Sequence, residues 1–433
     1  MSKVIQVDER PSLLASVPLS LQHLFAMFGS TVLVPILFKV DPSTILLMNG
    51  IGTLLYLILT NFKIPAYLGS SFAFLSPVFV VLNSKGGYSA ALGGFIIVGI
   101  IFTLISLIIR VAGTSWIDVV FPPAAMGAIV AVIGLELVPV AAQMAGFIAG
   151  SDAPADWSPD GTTLTVSIVT LCIGVVGSVL FRGFLRVIPI LVAIIVGYVL
   201  ACILGIVDVK AALSAAPWFG APTFYKPTFD WSSIAIIAPA ALVVVAEHIG
   251  HLIVTSNIVE RDLTKDPGLS KSLLGNGIST IISGFVGSTP NTTYGENIGV
   301  MAISRVYSVW VVGGAACVAV VLSFVGKLSA LIQTIPSPVM GGVSLLLFGV
   351  IAASGLRMLV ETKVNYSKPA NLMLTTVVLV IGLSGTTLKW GNFELKGMAL
   401  ATVAAIVLSL FLKLIEVLGL TEEDERNKAK KES

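Results

Sequence analysis

The sequence is poor in charge. Only 11% of its 433 residues are Asp, Glu, Lys or Arg, against about 25% in a soluble domain. With 56% hydrophobic residues and a mean hydropathy of +1.00, this excludes a single soluble core and indicates an integral membrane protein with many spans. Histidine and cysteine are also scarce, three of each. Cys172, Cys202 and Cys317 fall in apolar runs and read as small buried hydrophobes, not disulfides or metal ligands. There is no basic stripe or compact basic domain, so nucleic acid is not an expected partner; membrane lipid is. No small-residue cleavage site follows the first apolar run, so no removable signal peptide is expected.

What is present is a succession of apolar runs near the roughly 20 residues that a span needs. Fourteen candidates lie near 13–36, 42–61, 66–83, 90–111, 118–141, 162–181, 187–206, 232–258, 269–287, 288–304, 307–325, 328–354, 368–387 and 396–418. The third and tenth are short and full of Gly, Ser, Thr, Asn and Pro. Longer polar stretches fall at 143–161 and 207–231, and the charged end, 421–433, is expected to be disordered. With the N-terminus in the cytoplasm, alternation places 18 of the 25 Lys and Arg on the inner side. The positive-inside rule therefore favours an even number of spans with both termini cytoplasmic.

The halves look related. Pro122-Pro-Ala-Ala-Met126-Gly127 matches Pro336-Ser-Pro-Val-Met340-Gly341, Gln22-His23 matches Glu247-His248, and Gly69-Ser70-Ser71 matches Gly287-Ser288-Thr289. Seven spans per repeat would invert the second copy. Inverted repeats with paired interrupted spans mark transporters, with the site where the interruptions meet.

Well inside the runs we find only His23, Glu247, His248, His251 and Glu296 as ionisable groups, and all three histidines are among them. A carboxylate at bilayer depth costs about 2.5–3.5 kcal/mol even on lenient scales, so the default reading is a functional site. Glu247 and His251, four apart, share a helix face and together suit uptake and release of a proton; the bland alternative is a polar pair that fixes helix packing. His248, about 100° round the helix from Glu247, and His23 are expected behind the site. The order Glu-His-x-x-His is wrong for a zinc helix, and no metal is expected. Around Glu296, in Tyr294-Gly295-Glu296-Asn297, Gly295 permits close approach of a ligand to the backbone and Asn297 can donate and accept. The partner stretch, Gly69-Ser-Ser-Phe-Ala-Phe74, offers free amides and Phe72 for stacking. The Lys and Arg that fall within the runs sit toward their ends, so the pocket suits a small, flat, neutral molecule with several N–H donors. Core packing is the alternative for Phe72 and Tyr294.

These residues carry a resemblance. Glu296-Asn-Ile-Gly-Val-Met-Ala-Ile-Ser-Arg305 resembles the signature of the nucleobase–ascorbate transporter family, and Gln22-His23 matches its first-span motif. The similarity runs over essentially the whole chain. Residues 18–28, Ala-Glu-His-Ile-Gly-His (246–251) and Gly-Ser-Thr-Pro-Asn-Thr-Thr-Tyr-Gly-Glu-Asn (287–297) are closest to its bacterial uracil-transporting branch.

The resemblance implies an all-α polytopic membrane protein. Its fourteen segments would form a 7+7 inverted repeat with short β-strands in segments 3 and 10. A cytoplasmic N-terminus (1–12) would precede a core domain of 13–111 and 232–325 and a gate domain of 118–206 and 328–418. An extracytoplasmic loop (207–231) and a cytoplasmic tail (419–433) would complete it. It implies proton-coupled uracil import by alternating access in the bacterial cytoplasmic membrane, as a homodimer, with no cofactor beyond the proton. Glu247 and Glu296 would hold the base through its N–H groups, backbone at Phe72 and Gly295 would meet its other polar atoms, and His251 would take part in coupling. Ser304 replaces the family's Thr. Phe348 stands where Tyr can occur, which leaves no hydroxyl there. Competing readings are another nucleobase such as xanthine, a metal-dependent membrane enzyme using Glu247 and His251, and a passive channel.

Overall fold

The computed structural model describes residues 4–82, 86–150, 153–390 and 393–420. The first three residues, Lys85 and the charged end expected to be disordered, 421–433, lie outside them. The apolar runs fold as helices, which satisfy their own backbone hydrogen bonds where no water can. Among the described residues, seven helices are long and apolar enough to cross a bilayer: Pro42–Leu59, Gly87–Ala112, Pro123–Met144, Gly161–Leu180, Trp231–Val259, Ser337–Glu361 and Gly397–Val417. The first run adds an eighth if its two pieces, Leu13–Ala26 and Phe28–Phe38, bent by 40°, are taken together. Four more apolar helices are shorter: Phe72–Leu82, Pro189–Ile203, Val309–Leu322 and Pro369–Leu383. Leu269–Val286 fails the apolarity test because Ser272, Asn276, Ser279, Thr280 and Ser283 are wholly buried in it. A helix enclosed by protein is free to be polar. Length and apolarity alone therefore do not reach fourteen.

The third and tenth runs are interrupted by strands. β1 (Leu68–Ser70) and β2 (Asn291–Thr293) pair antiparallel, with Gly69 opposite Thr292. The pairing extends through Ser71 N–H to Pro290 O (3.3 Å) and Tyr294 N–H to Tyr67 O (3.1 Å). Outer strand groups find side chains: Leu68 N–H donates to Thr53 Oγ1 (2.9 Å) and Asn291 N–H to Thr280 Oγ1 (3.2 Å). Irregular backbone at this depth survives because it is satisfied within protein. Gly69 is required sterically, since a Cβ there would overlap the Tyr294 ring. Each strand leads into a helical turn, Phe72–Phe74 and then Leu75–Leu82 on one side, Gly295–Ser304 on the other. The capping positions are Ser71 and Tyr294. This register aligns Ser71 with Tyr294, so the sequence match of Gly69-Ser70-Ser71 to Gly287-Ser288-Thr289 is five residues out of step. Pro122 and Pro336, by contrast, occupy the same place, the extended residue before a long helix (ψ 152 and 151).

Gly87–Ala112 packs along Leu269–Val286, and Pro42–Leu59 along Val309–Leu322. Pro123–Met144 packs along Ser337–Glu361. These contacts are close because the helices meet at small residues: a Cβ at Gly99 would press on the Gly277 carbonyl oxygen, and one at Gly134 on that of Phe348. Cys172 and Cys317 are exposed and Cys202 is half-buried, all with free thiols. The expectation that they are buried fails because a lipid-facing position is as apolar as a core one.

Candidate functional site

The strand pair brings the two interrupted runs together, and the site forms at its ends. Glu296 lies in the first turn of Gly295–Ser304, where the helix dipole favours a carboxylate. Its Oε1 accepts from Ser30 Oγ at 3.0 Å. Ser30 comes just after the bend at Met27. Gly295 begins the half-helix, so its N–H has no intrahelical acceptor, and it is exposed among buried neighbours.

Glu247 and His251 reach the site from Ala240–Val259. The Ser71 side chain lies near the Glu247 carboxyl, and Glu296 is close enough to interact with it electrostatically. Glu247 Oε2 is buried without a partner. The expected Glu247–His251 contact is not made. His251 Nδ1 instead meets Thr293 Oγ1 at 3.2 Å, while its Nε2 lies 3.2 Å from where a Cβ on Gly295 would stand. Four-residue spacing puts the two groups on one face, but the imidazole turns to the Thr293 hydroxyl. Glu247, His251 and Glu296 are half-buried, and among the described residues neither carboxylate takes part in an ion pair.

His248 is buried behind them. Its Nδ1 contacts Thr293 Oγ1 (3.2 Å) and Asn276 Nδ2 (3.0 Å), and its Nε2 contacts Ser272 Oγ (2.8 Å). Ser272 in turn contacts Tyr56 Oη at 2.6 Å. Thr293 thus bridges the two histidines, and a hydrogen-bonded chain runs from His251 to Tyr56. With Asn276 assigned so that its amide donates, His248 carries its proton on Nε2. His23 Nδ1 meets Asn297 Oδ1 at 2.5 Å, which holds the first span to the half-helix.

Phe72 packs edge-on against Phe348, ring centroids 5.7 Å apart; both are buried. Tyr294, expected to face the ligand, is engaged elsewhere. Its ring lies on Gly69 and its hydroxyl donates to Ser70 O at 3.1 Å, so it braces the strand pair. Among the described residues no group of three or more His, Cys, Asp or Glu side chains is placed to hold a metal ion.

Sequence reasoning missed Ser30, Thr293, Asn276, Ser272 and Tyr56. Only Ser30 left a signal, as the small polar Gly29-Ser30-Thr31 interrupting an apolar run. It also passed over Glu136, a further carboxylate well within Pro123–Met144.

One face of the half-helix is open. Gly295 and Ala302 are exposed, Ile303 is 44% exposed, and nothing lies within 4 Å of a Cβ built on Gly299. The opposite run, Phe72–Leu75, is buried throughout. The open face leads to Arg305, where residues 5–7 join residues 305–309: Ile5 N–H donates to Arg305 O (3.0 Å) and Val309 N–H to Val7 O (3.1 Å).

A model of the Permease family matches residues 14–391. The uracil permease of Paenibacillus larvae is 68% identical over 421 residues, covering 97% of this chain and 99% of that protein. The uracil permease of Escherichia coli K12 is 63% identical over 417 residues, covering 96% and 95%. That of Bacillus subtilis is 46% identical over 421 residues, covering 94% of each. Among solved structures, the transmembrane domain of the cyanobacterial bicarbonate transporter BicA aligns with a TM-score of 0.60 at 15% identity, covering 95% of this chain and 99% of that one. SLC26A9 aligns at 0.68 and 12% identity, covering 93% and 66%. At such identities the likeness is one of fold, that of helical membrane transporters.

Proposed function

We infer that this chain, which belongs to the Permease family and within it to the bacterial uracil permeases of the nucleobase–ascorbate group, imports uracil with a proton by alternating access. The observation that carries the reading is the convergence of two half-buried carboxylates, Glu247 and Glu296, on accessible Gly295 at a half-helix N-terminus, with no ion-pair partner among the described residues. Uracil is flat and neutral, with two N–H donors and two carbonyl acceptors. Glu247 and Glu296 accept from its N–H groups, the Gly295 N–H and the backbone at Phe72 serve its carbonyls, and the Phe72 edge limits its plane. Phe348 supports Phe72 from behind.

The proton binds at Glu247 or His251, which face the ligand from one helix, and its charge offsets a carboxylate in the loaded site. Thr293, His248, Ser272 and Tyr56 give that proton hydrogen-bonded partners away from the ligand. The core (13–111 with 232–325) moves against the gate (118–206 with 328–418). Support for an inverted seven-plus-seven repeat comes from the packing. Exchange of the repeats turns the pairing of segment 4 with segment 9 into that of segment 11 with segment 2, and both occur. It returns the pairing of segments 5 and 12 to itself.

The test is labelled uracil uptake into proteoliposomes under an imposed pH gradient, with a panel of competing nucleobases. Accumulation that follows the gradient and is displaced by uracil before xanthine is expected. Uptake indifferent to the gradient would sink the coupling.

A further inference from the structure

Glu136 is a carboxylate that the substrate site leaves unused. It lies well within Pro123–Met144, half-buried, with both oxygens engaged. Oε1 accepts from Ser76 Oγ at 2.8 Å. Ser76 belongs to Leu75–Leu82, the helix that continues from Phe72. Oε2 accepts from the Met398 N–H at 2.9 Å, in the first turn of Gly397–Val417. Gly397 has φ +53, and a Cβ there would overlap the Glu136 carboxylate. The start of that helix is therefore shaped around the acid, at the positive end of its dipole. Lys396 lies near enough to add its charge. Two of these three elements belong to the gate and the third, through Ser76, to the core.

The counterpart interface lacks this bond. The offset that relates Ser71 to Tyr294 carries Ser76 to Gly299, and the offset that relates Pro122 to Pro336 carries Glu136 to Val350. Neither residue can form a side-chain hydrogen bond. That interface is also the open one: a Cβ on Gly299 would meet nothing within 4 Å, and Val350 is 46% exposed. The two faces of the core thus differ in chemistry and in closure, and the closed face is the one with the carboxylate.

We propose that Glu136 is a positioning residue for transport: through Ser76 it fastens the Phe72 half of the core to the gate on one face only, and so holds the binding site open toward Arg305. This rests on the core-and-gate reading. Transport requires the bond to break so that the Phe72 face opens. Nothing equivalent forms when the Gly299 face closes, so the resting protein favours the state seen here.

The test uses full-length protein in sealed vesicles without substrate, so that its outcome does not depend on the identity of the ligand. Cys172, Cys202 and Cys317 are replaced by alanine. A single reporter, Ala302→Cys on the open face or Val80→Cys on the closed one, where Val80 lines a cleft with Ser76 and Met398, is labelled with a membrane-impermeant maleimide from each side. Ser76→Ala removes the bond between the domains and leaves the Met398 N–H capped, so it tests the bond in a protein that still folds; Glu136→Gln tests it from the other side. The expected result is a shift of about tenfold or more in the ratio of Val80→Cys to Ala302→Cys labelling, the size that loss of a hydrogen bond to a charged group predicts. Ser76→Thr, which keeps the hydroxyl, restores the parental ratio. An unchanged ratio in Ser76→Ala overturns the proposal. So does a rise at both reporters together, which would mean general loosening.

Discussion

At the scale of single residues, the site depends on a few charged and hydroxyl groups. Glu296→Ala removes both the proposed acceptor for the ligand and the partner of Ser30. A hydrogen bond to a charged group contributes about 1.5–3 kcal/mol, so uracil affinity measured by calorimetry on detergent-solubilised protein should fall at least about tenfold. Glu247→Ala should do the same, and full affinity in both variants would remove the proposed pocket. Ser30→Ala leaves the carboxylate in place and should weaken binding only several-fold. Gly295→Ala places a methyl against His251 Nε2 at 3.2 Å and narrows the accessible space, so it too should weaken binding while the protein remains folded. The carboxylates and histidines were legible in the sequence because charge at bilayer depth is costly and rare. The hydroxyls that hold them were not, since Ser and Thr are ordinary in spans and satisfy themselves on the preceding turn, as Thr60 does on Tyr56 O (2.8 Å). Glu136 was passed over although it falls in the fifth run, near the end given to it; its helix runs on to Met144.

At the scale of elements, the interruptions were legible and their geometry was not. Pro290, Asn291 and the threonines of β2 announce a break in a helix. Nothing in either strand alone says that Gly69 faces Thr292, because register is set by a partner more than two hundred residues away. The bracing contact of Tyr294 went unforeseen for the same reason: its ring packs on a glycine of the other strand. Gly69→Ala sets a methyl into that ring, and overpacking of this kind costs about 1–3 kcal/mol or more; a lower Tm with loss of uracil binding should follow, and a parental Tm would show that the strands are not held by this contact. A second element-scale prediction concerns the start of Pro42–Leu59. Asp41 caps it through Ser43 N–H (2.9 Å), accepts from Thr223 N–H (3.0 Å) and from Ser329 Oγ (2.8 Å), and so ties three segments together. Burial would push its carboxyl up, but the bonds from Thr223, Ser43 and Ser329 outweigh it and hold the group below its usual 3.8. A carboxyl depressed on folding contributes stability that is present above the unfolded value and lost as pH falls through the folded one. Asp41→Asn should therefore lower Tm at pH 7, and the gap to the parent should narrow as the pH falls below about 4. A gap that stays constant as the pH is lowered through that range would contradict the assignment.

At the scale of the whole molecule, the composition sufficed to place the chain in a membrane, and the seven or eight long apolar helices agree. Length and apolarity in the folded helices pick out only seven or eight of the fourteen candidate runs, because helices such as Leu269–Val286 are enclosed by protein and carry serine and asparagine where a lipid-facing helix carries leucine. If the proton drives the cycle, a protonophore should abolish uphill uracil accumulation in vesicles while leaving equilibrium exchange of labelled for unlabelled uracil intact; exchange lost along with accumulation would point to damage to the carrier. The strand pair also bears on how the protein is made. β1 leaves the ribosome long before β2 exists, and until then its backbone has only local partners such as the Thr53 hydroxyl. The strand pair, and the meeting of the two interrupted runs that it makes, is accordingly complete only once the chain has been made past Thr293, and a chain that stops before β2 lacks it.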